Sequence, residues 1–272
     1  MQYGNIPAIV IFLLFWYNKK MIITSKENKF VKEAMLLKTK KYRDDLSLFL
    51  VEGLKQTEEL SDNFKIKYIL VSDKFNKEIK IKNDDIFYVS ENILNKITQT
   101  DTPQGIIAVA EKKIYDIDVV LSKPKDKHFF VVLCNIQDPG NLGTIIRTAD
   151  AFNSSGVFVS ENSADIYSGK TVRASMGSLF HIPVINDVSV PDLLSKVCKY
   201  QIKTYALSLK ADKFIENIKQ EKVMLMFGNE SSGIDKEISA LADEAVKIRI
   251  GGKAESLNVS AAAAIAMYEI SK

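Results

Sequence analysis

The chain has 272 residues, 46% of them hydrophobic and 26% charged, with twelve Gly, six Pro and a formal net charge of +3. This is globular composition with enough apolar material for a substantial core, and it excludes disordered and fibrous classes. Two cysteines far apart, Cys134 and Cys198, exclude a disulfide scaffold and point to a reducing, intracellular setting.

Residues 6–17 form an unbroken apolar run of twelve, followed by Asn18, Lys19 and Lys20. Twelve residues fall short of the roughly 20 that span a bilayer, so no stable membrane association is expected. A signal peptide would carry its positive charge before the run and a small-residue cleavage site after it. A buried or interfacial helix, a weak anchor, or an upstream extension foreign to the natural product remain. The third reading is favoured, because Met21 opens a sensible N-terminus (Met21-Ile22-Ile23-Thr24-Ser25). Between residues 19 and 43 lie nine Lys/Arg against only Glu27 and Glu33. That surplus suits a polyanion such as RNA or a membrane surface, or is simply a solvated helix face.

Helical spacing of Phe30, Val31, Ala34, Met35 and Leu37 predicts a helix over 25–37, with Ser25 as its N-cap. Strands are expected at 48–53, 66–71, 86–89 and 106–110, with helices at 54–60 and 91–98 between them. Residues 21–115 therefore read as a small α/β domain. The polar stretch 116–127, with Pro124, reads as a linker. A second α/β domain of residues 128–272 begins with a wholly apolar strand at 129–134, as in a parallel sheet covered on both faces. Further strands are expected at 156–160, 182–185, 204–207, 223–227 and 246–250, and a closing helix at 259–270.

Three segments of this second domain depart from plain packing. The first, residues 135–152, leaves a buried strand, turns at Asp138-Pro139-Gly140-Asn141 and enters a helix. A loop at the C-terminal end of a parallel strand is where α/β sheets place ligands, and N–H groups at a helix start favour an anion. Ile145, Ile146, Ala149 and Phe152 can face the core, leaving Arg147 aimed elsewhere. It is then either a ligand contact or a surface partner of Asp150. The second segment, Gly228-Asn229-Glu230-Ser231-Ser232-Gly233, follows another buried strand, and its glycines permit close backbone approach. In the third, residues 248–260, a strand feeds a loop in which Ser256 or Asn258 can cap the last helix. For the last two segments, plain capping and turn formation are the competing explanation.

The three segments read N-x-x-D-P-x-N-x-G-x-x-x-R-T-A, F-G-N-E-x-x-G and S-L-N-V-S-x-A, in that order. In this they resemble the SpoU (TrmH-like) RNA ribose 2′-O-methyltransferases of the SPOUT superfamily. Phe49-x-Val51-Glu52-Gly53 and Thr102-Pro103-Gln104-Gly105 resemble the L30e-like RNA-binding domain attached to many members. The resemblance implies S-adenosylmethionine (SAM) as methyl donor, a deep trefoil knot around its pocket, a homodimer joined through the knotted domain, and a cytoplasmic enzyme. It implies that Arg147, Glu230, Ser256 and Asn258 serve the reaction. Gly228, Asn229, Ile248, Ile250 and Leu257 would hold SAM. Asn135, Asn141 and Arg147 would meet the RNA, with Lys29 and Lys32 of the basic segment. Many members have Ile-Pro-Met where this chain has Ile248-Arg249-Ile250, a change expected to loosen the loop without abolishing SAM binding. No metal is implied, and His128 and His181 are isolated in the sequence. Ribosomal RNA is favoured over tRNA by the two-domain layout. The competing classes are a non-catalytic RNA-binding factor that keeps the fold and an enzyme acting on a small phosphorylated metabolite.

Overall fold

The computed structural model describes residues 21–81, 85–123 and 128–272. The apolar run at 6–17, Lys19, Lys20 and residues 124–127 of the expected linker lie outside these. Helix α1 (Lys29–Leu36) and α2 (Lys40–Leu46) precede strand β1 (Leu48–Glu52), α3 (Leu54–Ser61), β2 (Ile66–Ser72), β3 (Ile86–Val89), α4 (Glu91–Ile97) and β4 (Ile106–Glu111). These four strands form one sheet in the order β1-β4-β2-β3, with β3 parallel to β2 and the other pairs antiparallel.

Alternation along the strands assigns the two faces of that sheet. Leu48, Leu50, Tyr68, Leu70, Ile107 and Val109 pack with Val31, Ala34, Leu94 and Ile97 of α1 and α4. Their neighbours Phe49, Val51, Ile69, Val71, Ile106 and Ala108 look the other way, into a core shared with the second half of the chain. There the Phe49 ring lies 4.6 Å from that of Tyr167, and Phe64 meets Phe180 edge-on at 5.4 Å.

The second half begins at α5 (Ile117–Leu121), β5 (His128–Leu133), α6 (Pro139–Ala151), β6 (Gly156–Ser160), α7 (Gly169–Ser175) and β7 (Val184–Val188). It continues with α8 (Val190–Val197), β8 (Lys203–Leu207), β9 (Lys213–Phe214), β10 (Lys222–Phe227), α9 (Lys236–Ala240), β11 (Glu244–Lys247) and α10 (Val259–Ser271). Its seven strands are all parallel, in the order β7-β6-β5-β10-β8-β11-β9. β5 is buried along its whole length: Phe129, Val131 and Leu133 face the shared core, while Phe130 and Val132 face a second cluster with Val120 and Leu121 of α5. The continuous apolar run is the signature of this two-sided burial.

Several boundaries differ from the sequence reading. α1 starts at Lys29 because Asn28, and not Ser25, caps it: Asn28 Oδ1 accepts from Phe30 N at 3.0 Å, while Ser25 Oγ accepts from Glu27 N in a turn of its own. β7 begins at Val184, just past Pro183, which has no N–H to donate to a sheet ladder. The polar α2 gave no apolar periodicity. It forms around Arg43, which is buried, donates to Leu37 O at 2.8 Å and ion-pairs with Asp165 of the second half at 2.6 Å. Arg43 is therefore an internal residue and not part of a polyanion-facing surface.

Candidate active site

Every loop of interest leaves the C-terminal ends of the parallel strands. After β5 the chain turns at Asn135, whose backbone adopts a positive φ of 58°. Asn135 N donates to Ser160 Oγ at 2.8 Å and Ile136 N to Ser163 Oγ at 3.1 Å, so the loop after β6 holds the loop after β5. Asp138 then caps α6 by accepting from Asn141 N at 2.8 Å, with Pro139 at the first helical position. Lys170 pairs with the other oxygen of Asp138 at 2.9 Å. These two contacts, Lys170 first, hold the Asp138 carboxyl below its ordinary value.

After β10 the backbone of Asn229 and Gly233 exchanges two hydrogen bonds, at 3.0 and 2.9 Å, closing a tight turn around Glu230. A side chain on Gly228 would collide with the backbone of Gly233 and Ile234. Asn229 Nδ2 donates to Asn135 O at 3.0 Å, tying the second segment to the first. The third segment closes the set. Asn258 caps α10 through Ser260 N, and its Nδ2 donates to Asn141 Oδ1 at 3.3 Å, while Asn141 Nδ2 donates to Glu230 Oε1 at 2.9 Å. One polar residue from each of the three segments therefore stands in a single hydrogen-bonded chain, Asn258–Asn141–Glu230.

Arg147 is exposed and stands two turns along α6 from Gly140 on the same face; among the described residues it makes no ion pair. Asp150, its alternative partner, is instead paired with His181 at 2.8 Å. Ser256 and Leu257 are exposed on the loop before α10. Ile248 packs against the shared core, and Ile250 is half-buried. Arg249, where many members have proline, lays its guanidinium 4.0 Å from the Phe214 ring centre at the entrance to the loop. Lys29 and Lys32 lie apart from these residues, on α1. Lys29 sits over the Phe30 ring and Lys32 pairs with Glu27 at 2.5 Å. Ser160, Ser163 and Lys170 were missed in the sequence; Ser160-x-x-Ser163 at the end of an apolar strand was the available signal. Cys134 is buried, and burial pushes its thiol up to about 12, which leaves it inert as a nucleophile. Among the described residues no group of three or more His, Cys, Asp and Glu is arranged to hold a metal ion.

The arrangement fits an adenosyl cofactor. Gly251 and Gly252 face open space, and residues 251–257 make no backbone hydrogen bonds to the rest of the described chain, so their N–H and C=O groups are available. Glycines at the C-terminal edge of a parallel sheet, Gly233 in one turn and Gly251 and Gly252 in the other, leave room for the backbone to approach a ligand.

Residues 128–268 match the model of the SpoU rRNA methylase family, and residues 28–108 that of the MRM3-like substrate binding domain. The chain belongs to the SpoU rRNA methylase family. It is 36% identical over 258 residues to the 23S rRNA (guanosine(2553)-2′-O)-methyltransferase RlmP of Bacillus subtilis, covering 91% of this chain and 98% of that one. It is 28% identical to the 23S rRNA (uridine(2479)-2′-O)-methyltransferase of Streptomyces viridochromogenes, covering 91% and 90%. The solved structure of an AdoMet-bound rRNA methyltransferase from Sinorhizobium meliloti superposes with a TM-score of 0.77 at 30% identity, over 92% of this chain and 97% of that one. This SpoU protein is thus a methyltransferase whose methyl donor is SAM.

Proposed function

We propose that this SpoU methyltransferase modifies a ribose 2′-hydroxyl of 23S ribosomal RNA, with residues 21–115 gripping the RNA, 116–127 linking, and 128–272 performing the transfer around a knotted SAM pocket. The reading is carried by the Asn258–Asn141–Glu230 chain, which joins all three segments at the C-terminal edge of the sheet. The rRNA target is supported by the similarity to RlmP, which runs through both halves of the chain.

Bound SAM supplies an electrophilic methyl on a sulfonium; the chain supplies position. Backbone groups at Gly228, Ile248, Ile250 and Leu257 would hold the donor, with Asn229 bracing the turn. Asn141 is held from both sides of its amide, so Glu230 and Asn258 are fixed relative to α6, and such fixing of reactants is a large part of the rate. Ser256, exposed two residues before Asn258, would add a hydroxyl. Arg147, exposed and unpaired among the described residues, would take the phosphate next to the target ribose. A guanidinium keeps its proton below a pH of about 12, so for Arg147 to accept the 2′-hydroxyl proton it would need help from that phosphate or from a dry site that disfavours its charged form. Asn135, Lys29 and Lys32 would contact RNA farther out.

We also place the enzyme in the cytoplasm as a homodimer. Ala261, Ile265 and Tyr268 fall at i, i+4 and i+7 of α10, giving it an exposed, largely apolar stripe suited to a second copy, with Leu257 exposed on the loop before it. No helix among the described residues is long and apolar enough to cross a membrane.

The test is methyl transfer from radiolabelled SAM to unmodified 23S rRNA and tRNA, read as alkali-stable dinucleotides. Label in rRNA dinucleotides, lowered at least about 100-fold by Arg147→Ala with SAM affinity intact, is expected. Label confined to tRNA, or in bases, would overturn the reading.

A further inference from the structure

The two halves of the molecule do not hang on a free tether. They share one core, and ion pairs cross the seam: Arg43 to Asp165, Arg173 to Glu52 at 3.5 Å and, on the surface, Lys40 to Asp187 at 3.8 Å. Glu52 is further held by Thr98 and Thr100 hydroxyls and by Gln99 N. The position of the first half relative to the active site is therefore fixed.

Polar side chains line the seam on the outside. Lys38 Nζ donates to Lys96 O and Thr98 O. Gln99 comes next; its side chain donates to Lys38 O and its amide oxygen presses on Gly169, whose lack of a side chain lets the two halves touch. Lys170 follows, 60% exposed, with its stem over Gly140 in the first turn of α6 and its ammonium on Asp138. Asn141 of the hydrogen-bonded chain is the next residue along. The arginines of the seam are turned inward onto carboxylates, which leaves the lysines as outward cations. An ammonium has three donors, and Asp138 occupies one of those on Lys170.

We propose that this seam is a track for the phosphodiester backbone flanking the target nucleotide, with Lys170 as its phosphate contact beside the active site and Lys38 at its far end. The proposal rests on the RNA reading above. It adds a substrate-binding residue that lies outside the three segments.

The experiment measures binding of transcribed 23S rRNA by the full chain at several KCl concentrations, for wild type, Lys170→Ala and Lys170→Arg, alongside SAM affinity. Lys170→Ala is expected to weaken RNA binding on the order of fivefold at moderate salt and to make the log–log salt dependence shallower by about one unit. Lys170→Arg should restore both, and SAM affinity should hold. An unchanged salt slope in Lys170→Ala would overturn the track. So would a loss of SAM affinity with RNA binding intact, because Lys170 would then act only through the Asp138 cap. Wild-type protein that fails to bind or methylate any RNA would instead sink the RNA reading itself.

Discussion

At the scale of single residues, the amide of Asn141 does what no other side chain of its size can do. It donates to Glu230 and accepts from Asn258, so both of its ends are used. Asn141→Asp keeps the shape but sets a carboxylate 2.9 Å from that of Glu230, where a donor stood. Losing a hydrogen bond to a charged group costs about 1.5–3 kcal/mol, so single-turnover methyl transfer should fall roughly 10- to 100-fold. An Asn141→Asp enzyme with normal turnover would show that the chain is ornamental. Gly228 is the second such residue. A methyl there must displace the backbone of Gly233 and Ile234, and overpacking of this kind costs about 1–3 kcal/mol. Calorimetry of Gly228→Ala should show SAM affinity lowered about tenfold or more, because the turn that carries Glu230 has to open.

At the scale of elements, α6 is the piece on which the site is mounted. Its start is set by Asp138, and its packing by Gly143, whose missing side chain lets α7 approach. A Cβ there would sit 2.5 Å from that of Ala174 and 2.7 Å from Thr171 O. The Asp138 carboxyl, held below its ordinary value by Lys170 and by Asn141 N, stabilises the helix more when ionised than when protonated. A depressed acid contributes fully above its unfolded value, near 3.8, and the contribution vanishes as pH falls through the lower folded value. Acid titration of stability should therefore be steeper below pH 3.8 in wild type than in Asp138→Asn, which retains a capping oxygen without the charge. Superimposable acid limbs for the two proteins would contradict this. Arg249 works at the same scale: just past the end of β11, its guanidinium over Phe214 adds a stacking contact to the pairing of β11 with β9.

At the scale of the whole molecule, the shared core and the ion pairs across it make one cooperative unit of two domains. Arg43 and Asp165 are both close to fully buried, with 6% and 10% of their side chains exposed. Arg43→Ala leaves the carboxylate without its counter-ion, held only by Tyr167 N at 2.8 Å among the described residues, a change that costs about 3–5 kcal/mol. Wild type is expected to unfold in denaturant in a single transition by both far-UV circular dichroism and tyrosine fluorescence, and Arg43→Ala at a clearly lower midpoint. Two separated transitions in wild type would mean that the halves unfold independently.

Much of this protein was legible in its sequence because local rules govern it. The apolar run of β5 announced a strand covered on both faces, and the ordered spacing of Asn135, Arg147, Glu230 and Asn258 announced the family and its chemistry. Turn and cap chemistry is local too, and Asn258 was readable as a cap. What could not be read was which residues meet across long separations. Nothing near Arg43 in the chain marks it as the partner of Asp165, 122 residues on, and its charge suggested the opposite, a place at the surface. Nor does the sequence say that Asn141 lies between Glu230 and Asn258, or that Ser160 and Ser163 hold the loop at Asn135. Periodicity and capping depend on neighbours a few residues away, so the sequence by itself determined most of the elements, α2 and β9 excepted, and the residue types of the three segments. Contacts between loops depend on strand order, which places β10 beside β5 in the sheet, and only the tertiary structure decided that.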